Sequence, residues 1–464
     1  MSETIAAIST AYGEGGIGIV RISGEKALEI LNSLFYSPGQ TDSLFSFADR
    51  KMNYGYIKEP SSNELVDEVL AVYMKAPRTY TKEDVVEIYC HGSIVSLRRI
   101  LALILSGGAV MAEPGEFTKR AFLNGRIDLA QADAVIDLIQ AKTDRGYEAA
   151  FDQLEGGLSA KINSIRSALT DALAEIVVNL DYPDEDENAL DVDSAASGIK
   201  KNLEMIESVL KELIDTADTG RMIREGIDVV ITGRPNVGKS SVMNALLRDA
   251  RAIVSDIPGT TRDRIEEYLS LRGIPVKLTD TAGIRDADNS IEEIGIAMSK
   301  KAASNADLIA LILDSSEALQ KEDLMIAESL AEKDAVVMLN KTDLPGAIDV
   351  DRVHELLPKA VIIEISALTG EGIDIFEDYV EKAVYGGTLK QSGSLLVTNV
   401  RHKDLLVKAS EEILKAIEML GEGEALDFVE VDVRMAFDYL GEITGQTVTE
   451  DILDRVFSRF CVGK

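Results

Sequence analysis

The segment Gly233-Arg-Pro-Asn-Val-Gly-Lys-Ser240 constrains this chain more than any other. Its pattern, G-x-x-x-x-G-K-[ST], requires a strand ending before the first glycine and a helix beginning near the lysine. Ile227 to Thr232 is short, apolar and β-branched, as a buried parallel strand should be, and Ser241 to Leu247 reads as the start of a helix. With strand, loop and helix in order, the glycines at 233 and 238 let backbone N–H groups turn toward phosphate oxygens. Lys239 reaches the β- and γ-phosphates, and Ser240 offers its hydroxyl to magnesium. The segment is therefore expected to hold a nucleoside triphosphate.

Apolar strand candidates recur downstream at Val276 to Thr279, Leu308 to Leu313, Ala335 to Leu339 and Val361 to Ile365, with helix-length spacers. That alternation is the doubly wound α/β pattern. Three strand ends and one loop carry further chemistry. Gly259-Thr-Thr-Arg-Asp263 offers threonine hydroxyls to magnesium and the γ-phosphate, and Asp280-Thr-Ala-Gly283 places a carboxylate at the magnesium shell and an N–H at the γ-phosphate. In Asn340-Lys-Thr-Asp343, the Asp343 carboxylate suits the paired N1–H and amine donors of guanine, which adenine lacks, and Ser366-Ala-Leu368 can add backbone contacts. The expected nucleotide contacts are Asn236, Val237, Gly238, Lys239, Ser240, Ser241, Ser255, Thr260, Thr261, Asp280, Thr281, Ala282, Gly283, Asn340, Lys341, Asp343, Ser366 and Ala367, with Ser240 and Thr261 on magnesium. Lys239 also belongs with the catalytic groups. The place after Gly283, where many such GTPases carry a water-positioning glutamine, holds Ile284, so another group must act; Glu292 and Glu293 are candidates.

A chain of 464 residues needs more than this one domain. Thr4 to Ser23 reads as two strands about a glycine turn, because the β-branched Ile19-Val-Arg-Ile-Ser23 replaces the helix that a dinucleotide site would need after Gly13-Glu-Gly-Gly-Ile-Gly18. Strands near Met52 to Ile57, Leu65 to Met74 and Asp84 to Tyr89, with helices near Lys26 to Phe35 and Ile94 to Ser106, make an α/β domain. Helical stripes follow at Ala132, Val135, Ile136 and Ile139, at Ile162, Ile165, Leu169 and Leu173, and at Ile206, Leu210 and Leu213. Between them, Asp181 to Asn188 reads as a solvated acidic connection. Past the nucleotide domain the helical pattern returns, through Leu406, Ile413, Ile417 and Leu420 and then Val448, Ile452, Val456 and Phe460, with Thr447 and Glu450 spaced as a capping box. The fold class is thus α/β plus all-α, with the doubly wound domain inserted into a helical one.

Charge and cysteine usage narrow the partners. With 80 Asp and Glu against 48 Lys and Arg, the formal net charge of -32 repels phosphate backbones at long range. A nucleic-acid partner must therefore meet a local basic patch or be held by another protein. Two cysteines, Cys90 and Cys461, without metal-ligand spacing fit a reducing cytosol. No apolar leader or membrane-length span is apparent, and the expected location is cytoplasmic.

These motifs closely resemble the MnmE (TrmE) family of tRNA-modification GTPases, over essentially the whole chain. The resemblance includes Thr4-Ile-Ala-Ala-Ile8, Gly15-Gly-Ile-Gly-Ile-Val-Arg-Ile-Ser-Gly24, Tyr80-Thr-Lys-Glu-Asp-Val-Val-Glu87, His91-Gly92, Pro114-Gly-Glu-Phe-Thr-Lys-Arg-Ala-Phe-Leu-Asn124 and the terminal Phe460-Cys-Val-Gly-Lys464. It implies an N-terminal tetrahydrofolate-binding and dimerisation domain over 1–123, helical halves at 124–222 and 386–464, and a Ras-like GTPase domain at 223–385. The positions matching the folate contacts are Arg21, Glu87, Arg126 and Lys464. A carboxylate suits the donor edge of a pterin, and cations suit the carboxylates of a folate tail. Lys82 stands where relatives commonly have glycine, and Cys461 sits in the terminal motif with no adjacent base visible.

The family also implies potassium held by Asn236, Ser255, Ile257 and Thr260, taking the part of an arginine finger. It selects Glu292 over Glu293 to orient water, with Arg262, Asp263 and Arg285 in supporting switch roles. The implied activity is GTP hydrolysis by G-domain dimerisation in a homodimer. With an FAD-dependent partner of the GidA/MnmG type, it adds an aminomethyl or carboxymethylaminomethyl group to C5 of wobble uridine, from a 5-formyl or 5,10-methylene tetrahydrofolate donor. The partner would hold most of the tRNA. A ribosome-assembly GTPase is the main alternative, but it would need a basic RNA-binding module, such as a GXXG loop flanked by lysines, and none is visible. A folate-binding scaffold regulated by GTP is another.

Overall fold

The structure is a computed structural model that describes residues 3–11, 13–39, 45–181, 192–249, 251–252, 266–280, 306–331, 333–386 and 395–464. By compactness the chain divides into two units, one of Met1–Ile136, Gln153–Leu173 and Val433–Lys464, the other of Asp137–Asp152 and Ala174–Asp432.

The first unit is built on a sheet of strands β1 (Ile5–Ile8), β2 (Gly15–Ser23), β3 (Phe35–Tyr36), β4 (Met52–Lys58), β5 (Leu65–Met74), β6 (Val85–Gly92) and β7 (Val110–Met111), in the order β3-β4-β5-β6-β2-β1-β7. The opening segment forms two antiparallel strands, and the glycines from 15 to 18 make the irregular start of β2 where it pairs with β6. Alternation then sorts the side chains. Val20, Ile22, Val86 and Ile88 face the helices Ala27–Leu34 and Ile94–Ser106. Arg21 and Glu87 are direct cross-strand partners, placed by the pleat on the opposite face. Next to β1, Phe117 packs with Ile5, Ala7 and Ala112. The helix Leu129–Gln140 packs through Leu129, Ala132 and Ile136 against Leu453, Val456, Phe457 and Phe460. Burying Phe117 and Phe457 contributes roughly 1.5–3 kcal/mol each.

The helices depart from the sequence expectation at two places. Ile139, placed in the core stripe by its spacing, is 50% exposed, because the periodic pattern outruns the surface that the helix covers. The capping box of Thr447 and Glu450 does not form. The last helix, Glu450–Phe457, begins after Thr449, and the Thr447 hydroxyl instead donates to Asp438 O at 2.8 Å.

The second unit carries a sheet of β8 (Ile227–Thr232), β9 (Arg251–Ala252), β10 (Glu266–Leu271), β11 (Ile274–Asp280), β12 (Leu308–Asp314), β13 (Ala335–Asn340) and β14 (Val361–Glu364), ordered β14-β13-β12-β8-β11-β10-β9. Strands β14 to β11 are parallel. Both faces are covered, which is why these strands read as unbroken apolar runs. Along β12, Leu308, Ala310 and Ile312 enter the core that holds Val242 and Phe376, while Ile309, Leu311 and Leu313 enter the core that holds Ala327 and Val353. The doubly wound expectation holds, with an antiparallel margin that it did not include. Strands β10 and β11 form a hairpin whose two-residue turn, Arg272 and Gly273, has positive φ at both positions (51° and 82°). Beside this sheet, helix Val192–Asp215 packs on Val400–Glu422, joining stretches that lie on opposite sides of the sheet in sequence. From residue 182, the acidic connection lies outside the described residues. Among the described residues, no helix is long and apolar enough to cross a membrane.

Candidate functional site

Strand β8 delivers the chain to Gly233, and the helix Lys239–Asp249 carries it away, so the phosphate loop lies at the C-terminal edge of a parallel sheet. Two further strand ends hold it there. Asn340, at the end of β13 and 2% exposed, donates from Nδ2 to Val237 O at 2.9 Å and accepts on Oδ1 from the Ala367 N–H at 3.0 Å. One amide thus ties the phosphate loop to the segment after β14. Gly238 lies against that amide at φ +96°, and a Cβ on it would stand 2.3 Å from Asn340 Nδ2. Only glycine fits this cradle.

Lys341, itself at φ +70°, donates from Nζ to Asn236 O at 3.1 Å and to Asp314 Oδ2 at 2.5 Å. Burial opposes ionisation of Asp314, but hydrogen bonds from Lys341 and from Ser316 outweigh it and hold the carboxyl below its ordinary range. The Ser366 hydroxyl donates to Asp343 Oδ1 at 2.6 Å, orienting a carboxylate that remains exposed, as a guanine acceptor must. The Lys239 ammonium donates to Gly233 O and Arg234 O, both at 2.8 Å, so it stands within the loop whose phosphates it is expected to meet. Ser240 and Ser241 are exposed in the first turn of the helix, where a magnesium–phosphate group has access to the hydroxyls. Glycine cradle, ammonium and exposed hydroxyl fit magnesium and a triphosphate together.

Asn236, Val237, Gly238, Lys239, Asn340, Lys341, Asp343, Ser366 and Ala367 are thus brought together. Asp280 ends β11 with its Cα paired to Ile231 in β8; its side chain lies outside the description. Ser255, Ile257, Thr260, Thr261, Arg262, Asp263, Thr281, Ala282, Gly283, Ile284, Arg285, Glu292 and Glu293 lie outside the described residues. Of the expected potassium ligands only Asn236 is described, exposed and at φ +67°. The roles of Asp314 and Arg234 carry no signal in the sequence motifs. Arg234 clamps the phosphate loop by donating to Asp323 Oδ2 at 3.2 Å and Glu317 Oε2 at 2.5 Å.

A second polar cluster lies on the first unit's sheet. Arg21 meets Glu87 Oε1 at 2.9 Å, and the Tyr89 hydroxyl donates to Glu87 Oε2 at 2.7 Å. Burial and this carboxylate push the Tyr89 hydroxyl up to about 12. The Arg21 guanidinium lies over the rings of Tyr80 (5.8 Å) and Phe117 (5.6 Å), and that of Arg126 lies over Tyr80 at 4.7 Å. The chain's C-terminal segment closes the group, as Gly463 O accepts from Arg21 at 3.5 Å and from the Ser9 hydroxyl at 3.1 Å. Val462 bridges to Pro114. Gly463 has φ +93°, and a Cβ there would stand 2.2 Å from Ile8 O. Arg21, Glu87 and Arg126 therefore converge, and Lys464 follows directly on Gly463. Cys461 is exposed.

The segment Pro114 to Asn124 has a structural task beside this cluster. Arg120, 9% exposed, joins Glu83 at 3.0 Å and Glu116 at 2.7 Å, and Asn124 donates to Thr81 O at 2.6 Å. These bonds fix the loop carrying Tyr80. Lys82 in that loop has φ +58°, the left-handed region that favours glycine, and its ammonium donates to Gly125 O at 2.8 Å.

Two family models match the chain, one described as the MnmE helical domain over residues 129–461 and one as the GTP-binding protein TrmE N-terminus over residues 4–126. The tRNA modification GTPase MnmE of Alkaliphilus metalliredigens (strain QYMF) is 51% identical over 464 residues, covering 100% of both chains. Proteins of the same description from Alkaliphilus oremlandii (strain OhILAs) and Geobacillus thermodenitrificans (strain NG80-2) are 50% and 47% identical, over 100% of this chain and 100% and 99% of theirs.

Proposed function

The chain belongs to the MnmE family of tRNA-modification GTPases, and from that membership we propose that it couples potassium-activated GTP hydrolysis to one-carbon modification of wobble uridine. It is a GTP hydrolase acting in tRNA modification, and it binds GTP with magnesium. In our reading, Asn236 with Ser255, Ile257 and Thr260 holds potassium beside the phosphates, Glu292 orients the attacking water, and Arg285 supports the switch. Two copies pair, and their nucleotide domains approach each other when GTP and potassium are bound. The functional division follows 1–123, 124–222, 223–385 and 386–464, and the protein works in the cytoplasm.

A tetrahydrofolate derivative at the 5-formyl or 5,10-methylene level supplies the carbon. An FAD-dependent subunit shares the reaction, which leaves an aminomethyl or carboxymethylaminomethyl group on C5 of uridine. The tRNA is held mainly by that subunit, in keeping with the net charge of -32. The observation that carries the folate reading is the return of the terminal Gly463 to Arg21, beside Glu87 and Arg126. Glu87 keeps acceptor capacity beyond its bonds to Arg21 and Tyr89, since a carboxylate offers about four lone-pair sites. Arg21 and Arg126 are cations of the kind that suits the carboxylates of a folate tail.

The test is reconstitution with the FAD-dependent subunit, unmodified tRNA and a tetrahydrofolate donor whose one-carbon unit is isotopically labelled. Label in the wobble nucleoside is expected; a modified nucleoside without label would reject the folate assignment. Exchanging potassium for sodium should slow GTP hydrolysis about tenfold or more, given what an arginine finger contributes elsewhere. Indifference to the exchange would reject the cation site.

A further inference from the structure

We propose that Asp314 is a positioning residue of the nucleotide site, acting through Lys341 to hold the phosphate loop at Asn236 in its binding shape. Asp314 closes β12, and its Cα is the parallel partner of Asn340, the last residue of β13. Lys341 follows immediately, and its left-handed backbone (φ +70°) accompanies a side chain that lies between two acceptors. One is the Asp314 carboxylate at 2.5 Å, and the other is the Asn236 carbonyl at 3.1 Å. Asn236 is also left-handed, at φ +67°, a conformation less favoured than the right-handed one even for asparagine and so one that its surroundings help to fix. The ammonium bonded to its carbonyl is such a constraint, but a lysine on a flexible stem needs a fixed counter-charge to stay in place.

Asp314 supplies that charge from a rigid seat. Its side chain is 2% exposed, and its other oxygen is held by Ser316 through the N–H at 3.0 Å and the hydroxyl at 2.6 Å. The backbone beyond it is tied as well, Ser315 N–H donating to Asn340 O at 2.8 Å and Ala347 N–H to Ser315 O at 2.8 Å. The anion's direction is therefore set by the sheet rather than by the nucleotide. Neutralising it would free Lys341 toward solvent and leave the Asn236 turn to be ordered at the expense of binding.

This role rests on the GTP site proposed above, which the unmutated chain tests in the same titration. A fluorescent GDP analogue is titrated onto the full chain carrying Asp314→Asn, Lys341→Met, both or neither. Loss of one part-buried charge-assisted bond should weaken binding by about 10- to 50-fold in the Asp314→Asn chain. In the Lys341→Met background the same substitution should change affinity less than about twofold, because the group it acts through is gone. In turnover, the loss should fall on KM for GTP more than on kcat. An equal multiplicative loss in both backgrounds, or none in either, would overturn the proposal. If Asp314→Asn does not fold, Ser316→Ala loosens the same carboxylate with the ion pair intact. It should give a loss of about two- to fivefold that disappears with Lys341→Met, and a loss independent of Lys341, or none, would again overturn the role. Failure of the unmutated chain to bind the analogue would refute the nucleotide site itself, and this role with it.

Discussion

Truncating Asn340 to alanine probes the join on which the nucleotide site depends. The side chain is 2% exposed, and its two bonds, to Val237 O at 2.9 Å and from Ala367 N–H at 3.0 Å, have no neighbouring substitute in alanine. The Val237 carbonyl would be left buried and unpaired, which costs about 1–3 kcal/mol. The Ala367 amide is only partly buried and can turn to water, so its loss adds roughly 1 kcal/mol. The sum, about 2–4 kcal/mol, should lower the melting transition of the nucleotide unit by about 5–15 °C, given the usual scaling for a segment of this size. Because a chain of several units need not melt in one step, the relevant transition is the one that added GDP raises. Calorimetry on the nucleotide-free chain, with and without Asn340→Ala, makes the measurement. A shift below 1 °C in that transition would mean that Asn340 does not join the phosphate loop to the Ser366–Ala367 segment in solution.

Gly463→Ala would put a Cβ 2.2 Å from Ile8 O at a backbone with φ +93°. With left-handed strain near 1–2 kcal/mol, tetrahydrofolate should bind about 5- to 30-fold more weakly by isothermal calorimetry, and unchanged affinity would remove the terminal segment from the site. Glu87→Gln should lower the Tyr89 hydroxyl from about 12, yet leave it above the ordinary 10.0, because burial is the larger cause; an ultraviolet difference titration reads this directly. His91 bonds Asp67 through Nδ1 at 2.6 Å, and that hydrogen bond, followed by the Asp67 charge, raises its pKa. For Asp67, burial opposes ionisation, but hydrogen bonds from Ser96 and His91 prevail and lower it. The raised histidine contributes stability below its ordinary 6.5 that fades as pH rises through the raised value, and the lowered carboxyl contributes above 3.8 and fades on acidification. With 3 histidines in the chain, NMR titration can follow each ring. Asp67→Asn should return the His91 midpoint toward its ordinary value, and a midpoint that does not move would deny the pairing.

Legibility followed the range of the forces involved. Strands β8, β12 and β13 were readable because a strand buried on both faces must be apolar throughout, and the phosphate-loop and Asn340 to Asp343 motifs lie at ends that such strands fix. Strand β10 is not legible in the sequence. Glu266-Glu-Tyr-Leu-Ser-Leu271 shows no unbroken apolar run, and its hairpin turns on Arg272-Gly273 rather than on the asparagine or aspartate that usually signals one. Thr447 shows the opposite failure. Its spacing to Glu450 satisfies a local capping rule, but the hydroxyl finds Asp438 O, a partner that no local window contains. The same holds for Arg120 with Glu83, and for Lys341 with Asp314, whose pairing depends on strand register. Arg21 with Glu87 is intermediate. Family resemblance named both, and only the β2–β6 register made them cross-strand partners.

The most direct measurement of the central claim is mass spectrometry of tRNA nucleosides from cells with and without this gene. Cells lacking it should lose the aminomethyl and carboxymethylaminomethyl derivatives at C5 of wobble uridine and regain them when the gene is restored. Cells carrying Glu292→Ala should resemble the deletion. Wobble uridines that stay fully modified without the gene would contradict the assigned reaction. Full modification with Glu292→Ala, in a protein whose GTPase activity is lost, would contradict the coupling of hydrolysis to it.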